Sequence, residues 1–139
     1  MPARNIHHDA VIQALQKDGW TITHDPLTIR YEGWRLLIDL GAERTTIAAE
    51  RGSERIAVEI SSFVAASPVR DLQEAVGQFV VYRTLLARAE PDRTLFLGVP
   101  ERVFDTLLAE PLGQLVIAEV GLRILVFDTQ QQKVVRWVS

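Results

Sequence analysis

The sequence of 139 residues contains no cysteine. Its absence excludes a disulfide framework, a thiolate metal site and a cysteine nucleophile. No apolar run approaches the roughly 18 residues of a membrane-spanning helix, and the opening "MPARNIHHDA" lacks the apolar stretch of a secretory signal. We therefore expect a cytoplasmic protein that does not enter a membrane.

Positive charge is also scarce. The net charge is −3, and only Lys17 and Lys133 among the 15 basic residues are lysines. This charge argues against a protein that holds nucleic acid by bulk positive charge. The sequence contains no HExxH motif, no zinc-ligand spacing and no phosphate-binding glycine loop. The length and the ordinary apolar content of 47% predict a single domain over residues 1–139.

The first half of the chain predicts a helix followed by a three-stranded meander. Apolar residues in "HHDAVIQALQKDGW" recur at helical spacing, with Gly19 as the stop signal. Three strand-like runs follow: "LTIRYEGW" to "RLLIDLG", then "TTIAAERG", then "ERIAVEISSF". The glycine-bearing turns "YEGW" and "RGSE" favour antiparallel pairing of these runs.

The second half predicts a helix, a strand, two further helices and a closing strand pair. Ser67 and Pro68 form a strong helix start, and apolar residues continue from there at helical spacing. "TLFLGVP" is a strand, "PERVFDTLLAE" and "PLGQLVIAEVG" are helices, and "LRILVFD" and "KVVRWVS" are the closing strands. We therefore expect an α/β fold with a central sheet.

A carboxylate interrupts the most apolar strand, "RIAVEISSF". Side chains alternate along a strand, so Ala57, Glu59 and Ser61 share one face, and Ile56, Val58 and Ile60 share the other. Burial of an unpaired carboxylate costs several kcal/mol or more, so Glu59 requires a partner, a metal or a proton.

Asp39 is the expected partner of Glu59 in a metal site. In "RLLIDLG" we predict that Leu36, Ile38 and Leu40 face one side of the strand and Asp39 the other. Two carboxylates about 4 Å apart repel by roughly 4 kcal/mol at an effective dielectric constant of about 20. Mg²⁺ would relieve that repulsion, activate water and neutralise charge at a cleaved phosphodiester.

Two alternatives remain open for these acids. In the first alternative, Asp39 and Glu59 each pair with an arginine, for example Arg35, Arg44 or Arg55. In the second, Glu43 or Glu50 replaces Asp39, because a register slip of one residue turns every side chain to the opposite face. His7, His8 and His24 are too scattered to predict a metal site, and we expect His7 and His8 to be exposed.

The spacing of these residues resembles that of the PD-(D/E)xK nucleases. Asp39 is followed by "EIS" at Glu59 to Ser61 and then by a helix that contains "QFVVY", Gln78 to Tyr82. This second stretch matches the QxxxY signature of the RecB-like branch. The resemblance implies a restriction-endonuclease-like fold, with Asp39 and Glu59 as the catalytic and metal-binding acids and with Gln78 and Tyr82 as helix-borne support.

A longer resemblance, from Pro2 to about Trp137, is to the XisH family of factors that control excision of the fdxN DNA element. The segments that carry it are "MPARNIHHDAVIQALQKDGWTITHDPL", "IDLGAE", "AAERG", "IAVEISSF", "DLQEAVGQFVVY", "EPDRTLFLGVP", "EPLGQL" and "VFD". This resemblance implies action on or with DNA, a small XisI-like partner and a role in programmed recombination by a separate recombinase.

Ser61 departs from both patterns, which have lysine at that position. Loss of a preorganised charged group at a catalytic centre typically lowers the rate by about 100- to 1000-fold. Lys17 is the better placed of the two lysines to replace it. We favour a nuclease-fold protein with a degenerate active site; the alternatives are an active Mg²⁺-dependent DNA endonuclease and a purely structural interaction module. The closing strands also predict an open sheet edge that suits a homodimer or a partner.

Overall fold

The computed structural model describes residues 5–45, 53–63 and 66–139. Within these ranges, eight strands form two sheets. A six-stranded mixed sheet has the order β1-β4-β5-β6-β7-β8, and β2 and β3 form a separate hairpin. The strands are β1 (Thr21–His24), β2 (Leu27–Tyr31), β3 (Trp34–Ile38), β4 (Leu40–Thr45), β5 (Ser53–Ile60), β6 (Arg93–Pro100), β7 (Ile124–Asp128) and β8 (Lys133–Val138). The helices are α1 (His8–Lys17), α2 (Pro68–Ala89), α3 (Glu101–Asp105) and α4 (Pro111–Val120).

Helix α1 covers one face of the large sheet. Its buried residues include Val11, Ala14 and Leu15, which pack with the strand residues Ile56 and Val58. The helix ends at Lys17, and Gly19 follows with a φ of 90°. Glycine reaches this left-handed region at no steric cost, so the predicted stop signal acts as expected.

Helix α2 covers the other face. The Ser67 side chain accepts a hydrogen bond from the backbone N–H of Arg70 at 3.3 Å, and Pro68 occupies the first turn, as the sequence predicts. Leu72, Phe79 and Leu86 are buried on this side with strand residues that include Ala57 and Leu97. Helix α2 also connects β5 to β6, which pair in parallel.

The predicted three-stranded meander is wrong in its strand count. Five strands of the described residues precede α2. The prediction lacks β1, and the run "RLLIDLG" is divided between β3 and β4. Leu40 packs on the α1 side, whereas Ile38 packs on the α2 side, so the two side chains do not share a face. The predicted "YEGW" turn does join β2 to β3, with φ angles of 46° at Glu32 and 83° at Gly33.

The predicted strand "TTIAAERG" lies mostly at residues 46–52, outside the described residues, and only Thr45 belongs to β4. The remainder follows the predicted order of helix, strand, helix, helix, strand, strand, although α3 has only 5 residues. The chain is therefore a mixed α/β protein with a central sheet. No helix in the described ranges is long and apolar enough to cross a membrane.

Candidate functional site

Asp39 occupies the bend at which the chain passes from the hairpin into the large sheet. β3 ends at Ile38 and β4 begins at Leu40. Leu40 lies opposite Val58 in the antiparallel β4–β5 pair, so this register brings Asp39 beside Glu59. The strand alternation predicted for β5 is confirmed: Ala57 packs on the α2 side, whereas Ile56, Val58 and Ile60 pack on the α1 side.

Two hydrogen bonds lock the acids together. The backbone N–H of Asp39 donates to Oε1 of Glu59 at 3.1 Å. In return, the backbone N–H of Ile60 donates to Oδ2 of Asp39 at 2.8 Å. The Glu59 carboxyl group thus accepts the N–H of Asp39 itself, and the Asp39 carboxyl group accepts the N–H of the residue after Glu59. Backbone donors therefore hold both side chains in place.

The pair carries an electrostatic conflict. Glu59 is only 8% exposed. Burial above all, followed by the negative charge of Asp39 and the hydrogen bond between the two side chains, raises the pKa of Glu59 to about 9, against the opposing effect of the Asp39 N–H. At neutral pH, Glu59 therefore retains a proton that an exposed glutamate has lost.

Tyr82 of α2 faces this pair. Burial raises the pKa of its phenol, and the negative charges of Glu59 and Asp39 add to the effect. The ring also packs against the buried side chains of the α2 side. Tyr82 therefore stays protonated, as a hydrogen-bond donor close to two carboxyl groups.

The structure does not join Gln78 to the acids. Gln78 lies one turn before Tyr82 on α2, but its side chain is exposed. In the ranges that the structure describes, no hydrogen bond involves its amide. The i, i+4 spacing does place both residues along one side of the helix, so Gln78 is free to contact a bound molecule.

Ser61 follows the last residue of β5 and is half-buried. Its backbone N–H donates to the carbonyl oxygen of Gly98 at 2.9 Å, which extends the β5–β6 pairing by one residue. Lys17 does not replace the missing lysine, because its Nζ donates to the carbonyl of Gln131 at 2.8 Å and its helix covers the opposite face of the sheet.

The arginine pairing considered for the acids is wrong. Arg44 lies 3.4 Å from both Asp18 and Glu54, and Arg55 lies 3.5 Å from Glu43. Across the described parts of the chain, no lysine or arginine forms an ion pair with Asp39 or Glu59.

Asp39, rather than Glu43, is thus the acid that lies beside Glu59. Glu43 lies opposite Arg55, near the far end of β5. The other alternative, Glu50, lies outside the described residues.

The donor set suits a cation that keeps most of its water. Among the described residues, no group of three or more His, Cys, Asp or Glu side chains is arranged to hold a metal ion. Two carboxylates without a cation between them fit Mg²⁺, which commonly uses one or two carboxylates together with water and phosphate oxygens. They do not fit zinc, whose structural sites need four protein ligands.

The comparisons with known proteins agree on the family. The model of the family described as "XisH protein" matches residues 1–135. The chain belongs to the XisH family. A solved XisH family protein from Nostoc punctiforme PCC 73102 is 38% identical, with a TM-score of 0.88 over 97% of this chain and 100% of that one. A fdxN element excision controlling factor protein from Anabaena variabilis is also 38% identical, with a TM-score of 0.87 over 98% and 100% of the two chains. Curated proteins give no match.

This XisH-family chain also contains buried histidines that the sequence analysis missed. His8 is 5% exposed, and its Nε2 lies 2.7 Å from Oδ1 of Asp25. His7 is half-buried, and burial, with the charge of Arg102, lowers its pKa. The expectation that both are exposed is therefore wrong. The available signal was the position of "HH" at the start of an amphipathic helix, whose buried side includes the second histidine.

The segment that precedes α1 reaches the same end of the sheet as the acid pair. The side-chain amide of Asn5 donates to the carbonyl oxygen of Ile60 at 3.3 Å. Ile60 also donates its N–H to Asp39. Asn5 of this XisH-family chain therefore lies beside the acid pair, although nothing in the sequence pattern indicates this.

Proposed function

We propose that this chain acts on or with DNA in programmed site-specific recombination, as an excision controlling factor with a restriction-endonuclease-like fold and a degenerate active site. The family assignment and the name of the Anabaena variabilis relative support the role in excision control. The PD-(D/E)xK assignment rests on Asp39, Glu59 and Tyr82, with Gln78 one helical turn away.

The proposal is supported by the buried contact between Asp39 and Glu59, with which no lysine or arginine of the described ranges forms an ion pair. Burial without a cation is costly for a carboxylate, and a merely structural acid is normally paired. A divalent cation bound between Asp39 and Glu59 would relieve the repulsion between the two carboxyl groups, because it would replace the proton on Glu59. Asp39 and Glu59 would hold Mg²⁺, whose chemistry is to polarise a phosphodiester and lower the pKa of water.

Ser61 is the reason to propose a degenerate rather than an active site. The hydroxyl group carries no positive charge, and an arginine is permanently protonated and so cannot serve as the base. Without a positive charge at position 61, the protein would still bind DNA but would no longer cleave it. The protein would then control excision by holding DNA beside an XisI-like partner or a second copy of itself.

The test compares cleavage and binding in matched variants. Supercoiled, linear and single-stranded DNA are incubated with Mg²⁺ or Mn²⁺ and with wild type, Ser61→Lys, Glu59→Gln or the double variant. We expect binding without cleavage in the wild type, metal-dependent cleavage in Ser61→Lys, and none in the double variant. If Ser61→Lys restores no cleavage and the wild type binds neither DNA nor metal, the proposal is wrong.

An active Mg²⁺-dependent endonuclease is the second candidate function. The raised pKa of Glu59 and the position of Tyr82 at the acid pair favour it, since strongly perturbed groups cluster at catalytic centres. Robust cleavage by the wild type, lost in Glu59→Gln, would establish this candidate in place of the first. The third hypothesis, a purely structural module with arginine-paired acids, loses its basis because Arg44 and Arg55 pair with other acids, and Arg35 forms no ion pair within the described residues.

A further inference from the structure

The β2–β3 hairpin has one buried face and one free face. Directly opposed residues share a face, and the pair Leu27–Ile38 is buried on the α2 side. The pair Arg30–Arg35 lies on the other face, and both side chains are exposed. Two arginines therefore lie directly opposite each other on the free surface of the hairpin.

This arrangement is unfavourable in the isolated protein. Like charges directly opposite each other on neighbouring strands destabilise the pairing. Within the described residues, neither Arg30 nor Arg35 forms an ion pair, and the exposed Glu32 at the turn bridges neither of them. An anion that lies along the hairpin would relieve the repulsion, so the pair is complementary to a chain of phosphates.

The tip of the hairpin adds two exposed aromatic rings. Trp34 is 74% exposed and lies opposite Tyr31, which is 43% exposed. Alternation along the strands places this pair on the face opposite to Arg30 and Arg35, at the tip of the hairpin. Trp20, in contrast, is buried. A single strand that crosses the tip could therefore meet the arginines on one face with its phosphates and the exposed rings on the other with a base, and aromatic stacking together with basic side chains is how proteins hold unpaired nucleic acid bases.

The hairpin is also directly joined to the acid pair. Ile38 ends β3, and Asp39 is the next residue. Arg35 precedes Asp39 by four residues, or about 13 Å of strand. Phosphates follow one another every ~3.4 Å along the axis of a DNA strand, so about four nucleotides would span the distance from Arg35 to the acid pair.

We propose that the β2–β3 hairpin is a DNA-binding arm, in which Arg30 and Arg35 contact backbone phosphates and Trp34 stacks on an unpaired base. The inference rests on the proposed function in taking DNA as the ligand. It adds the binding surface, and it does not require the acid pair to hold a metal.

The first experiment measures the affinity for a fluorescent 20-nucleotide single strand by anisotropy, at several salt concentrations and without divalent metal. The double variant Arg30→Ala/Arg35→Ala is compared with Arg88→Ala/Arg123→Ala, which removes two exposed arginines elsewhere. We expect the arm variant to raise Kd about tenfold and to lower the salt slope by about 1.4, and the control to change Kd less than twofold. Equal losses in both variants, or no binding by the wild type, would overturn the proposal.

A second readout reports on Trp34 itself. DNA should change the tryptophan emission of the wild type and leave that of Trp34→Phe unaltered, because the phenyl ring still stacks but no longer emits in that range. Emission that responds equally in both proteins would contradict the stacking. Arg35→Glu separates binding from folding: it should raise Tm by a degree or more while it weakens DNA binding.

Failure of this inference is distinguishable from failure of the proposed function. If the arm variant loses DNA binding while wild-type protein fails to bind Mg²⁺, the arm stands and the acid pair is not a metal site. If Mg²⁺ binds at Asp39 and Glu59 but the arm and control variants bind DNA alike, the metal proposal stands and another surface holds the DNA. Capture of a protein by the hairpin without any DNA binding would make the arm a protein interface instead.

Discussion

Asp18 and Glu59 are acidic side chains on opposite faces of the same sheet, and their surroundings differ sharply. Oδ2 of Asp18 lies 3.2 Å from the indole N–H of Trp20, 3.3 Å from that of Trp137 and 3.4 Å from Arg44. Glu59 accepts one backbone N–H and otherwise faces another carboxyl group. Asp18, on the α1 side, thus has three positively polarised partners, whereas Glu59, on the α2 side, lies against a second carboxyl group.

Asp18 is satisfied by its neighbours in the fold, whereas Glu59 has only one backbone donor and could accept a further ligand. Asp18 stabilises the contact between α1 and β8, because its donors come from both ends of the chain. Glu59 joins β5 to Asp39, but it is buried without a positively charged partner among the described residues and therefore keeps its proton at neutral pH. Natural proteins accept such local conflicts mainly where a ligand resolves them.

The largest expected effect is that of Glu59→Gln on the pH dependence of stability. The raised pKa means that the folded state binds more protons than the unfolded state above about pH 4.5, so the free energy of unfolding falls as the pH rises toward 9. Glutamine keeps the acceptor for the Asp39 N–H and lacks the titration. We expect this variant to be more stable by about 3 kcal/mol at pH 7, with a nearly flat profile.

Urea unfolding at pH 5, 7 and 9 measures both proteins. A wild type whose stability rises over this range would show that Glu59 is ionised in the folded state. The comparison with Asp18 would then lose its electrostatic basis.

Asp18→Ala should change stability in the opposite direction. The substitution removes the acceptor of two indole N–H groups, and leaving part-buried donors unsatisfied costs about 1–3 kcal/mol. We expect a loss of about 2 kcal/mol of unfolding free energy in urea. DNA binding and metal binding should be unchanged. A stabilised Asp18→Ala protein would show that both acids are in conflict, not only Glu59.

Mg²⁺ should act on one face only. At a concentration ten times its Kd, a ligand that binds only the folded state stabilises it by about 1.4 kcal/mol. We expect such an increase in the wild type and in Asp18→Ala but not in Glu59→Gln, measured as a shift in Tm. Calorimetry in buffers of different ionisation enthalpy should detect release of about one proton at pH 7, because the cation displaces the proton of Glu59. Equal stabilisation of all three proteins would indicate nonspecific binding.

Gln78→Ala should have the smallest effect on stability. The side chain is exposed, and replacement of such residues usually changes stability by less than about 0.5 kcal/mol. If the glutamine acts on a bound molecule, the variant should still weaken DNA binding or metal-dependent cleavage in a Ser61→Lys background. A large loss of stability would place Gln78 in the fold rather than in the site.

The sequence predicts much of this site because its geometry follows from periodicity. Alternation along β5 places Ala57 and Glu59 on one side, and the helical spacing of Tyr82 follows from the start of α2 at Ser67 and Pro68. Asp39 was identified for a partly incorrect reason. Its side chain meets Glu59 not because a continuous strand alternates, but because the chain bends there and begins a new strand.

Other features have no local signal. Hydrophobic pattern does not specify that β1 pairs with β4, nor that the segment before α1 reaches Ile60, because both depend on contacts between distant parts of the chain. The absence of an arginine beside Glu59 is likewise a tertiary property. A chain with 15 basic residues gives each acid several conceivable partners, and only the packed structure decides among them.

The bend at Asp39 has a consequence for protein engineering. Because a single residue, Asp39, separates the hairpin from β4, matched pairs of residues added near the tip of its two strands would lengthen it without shifting the β4–β5 register. Each added pair would carry the Glu32–Gly33 tip about 3.3 Å outward. A graded series of such insertions would measure the distance between a molecule bound at the tip and the carboxyl groups of Asp39 and Glu59.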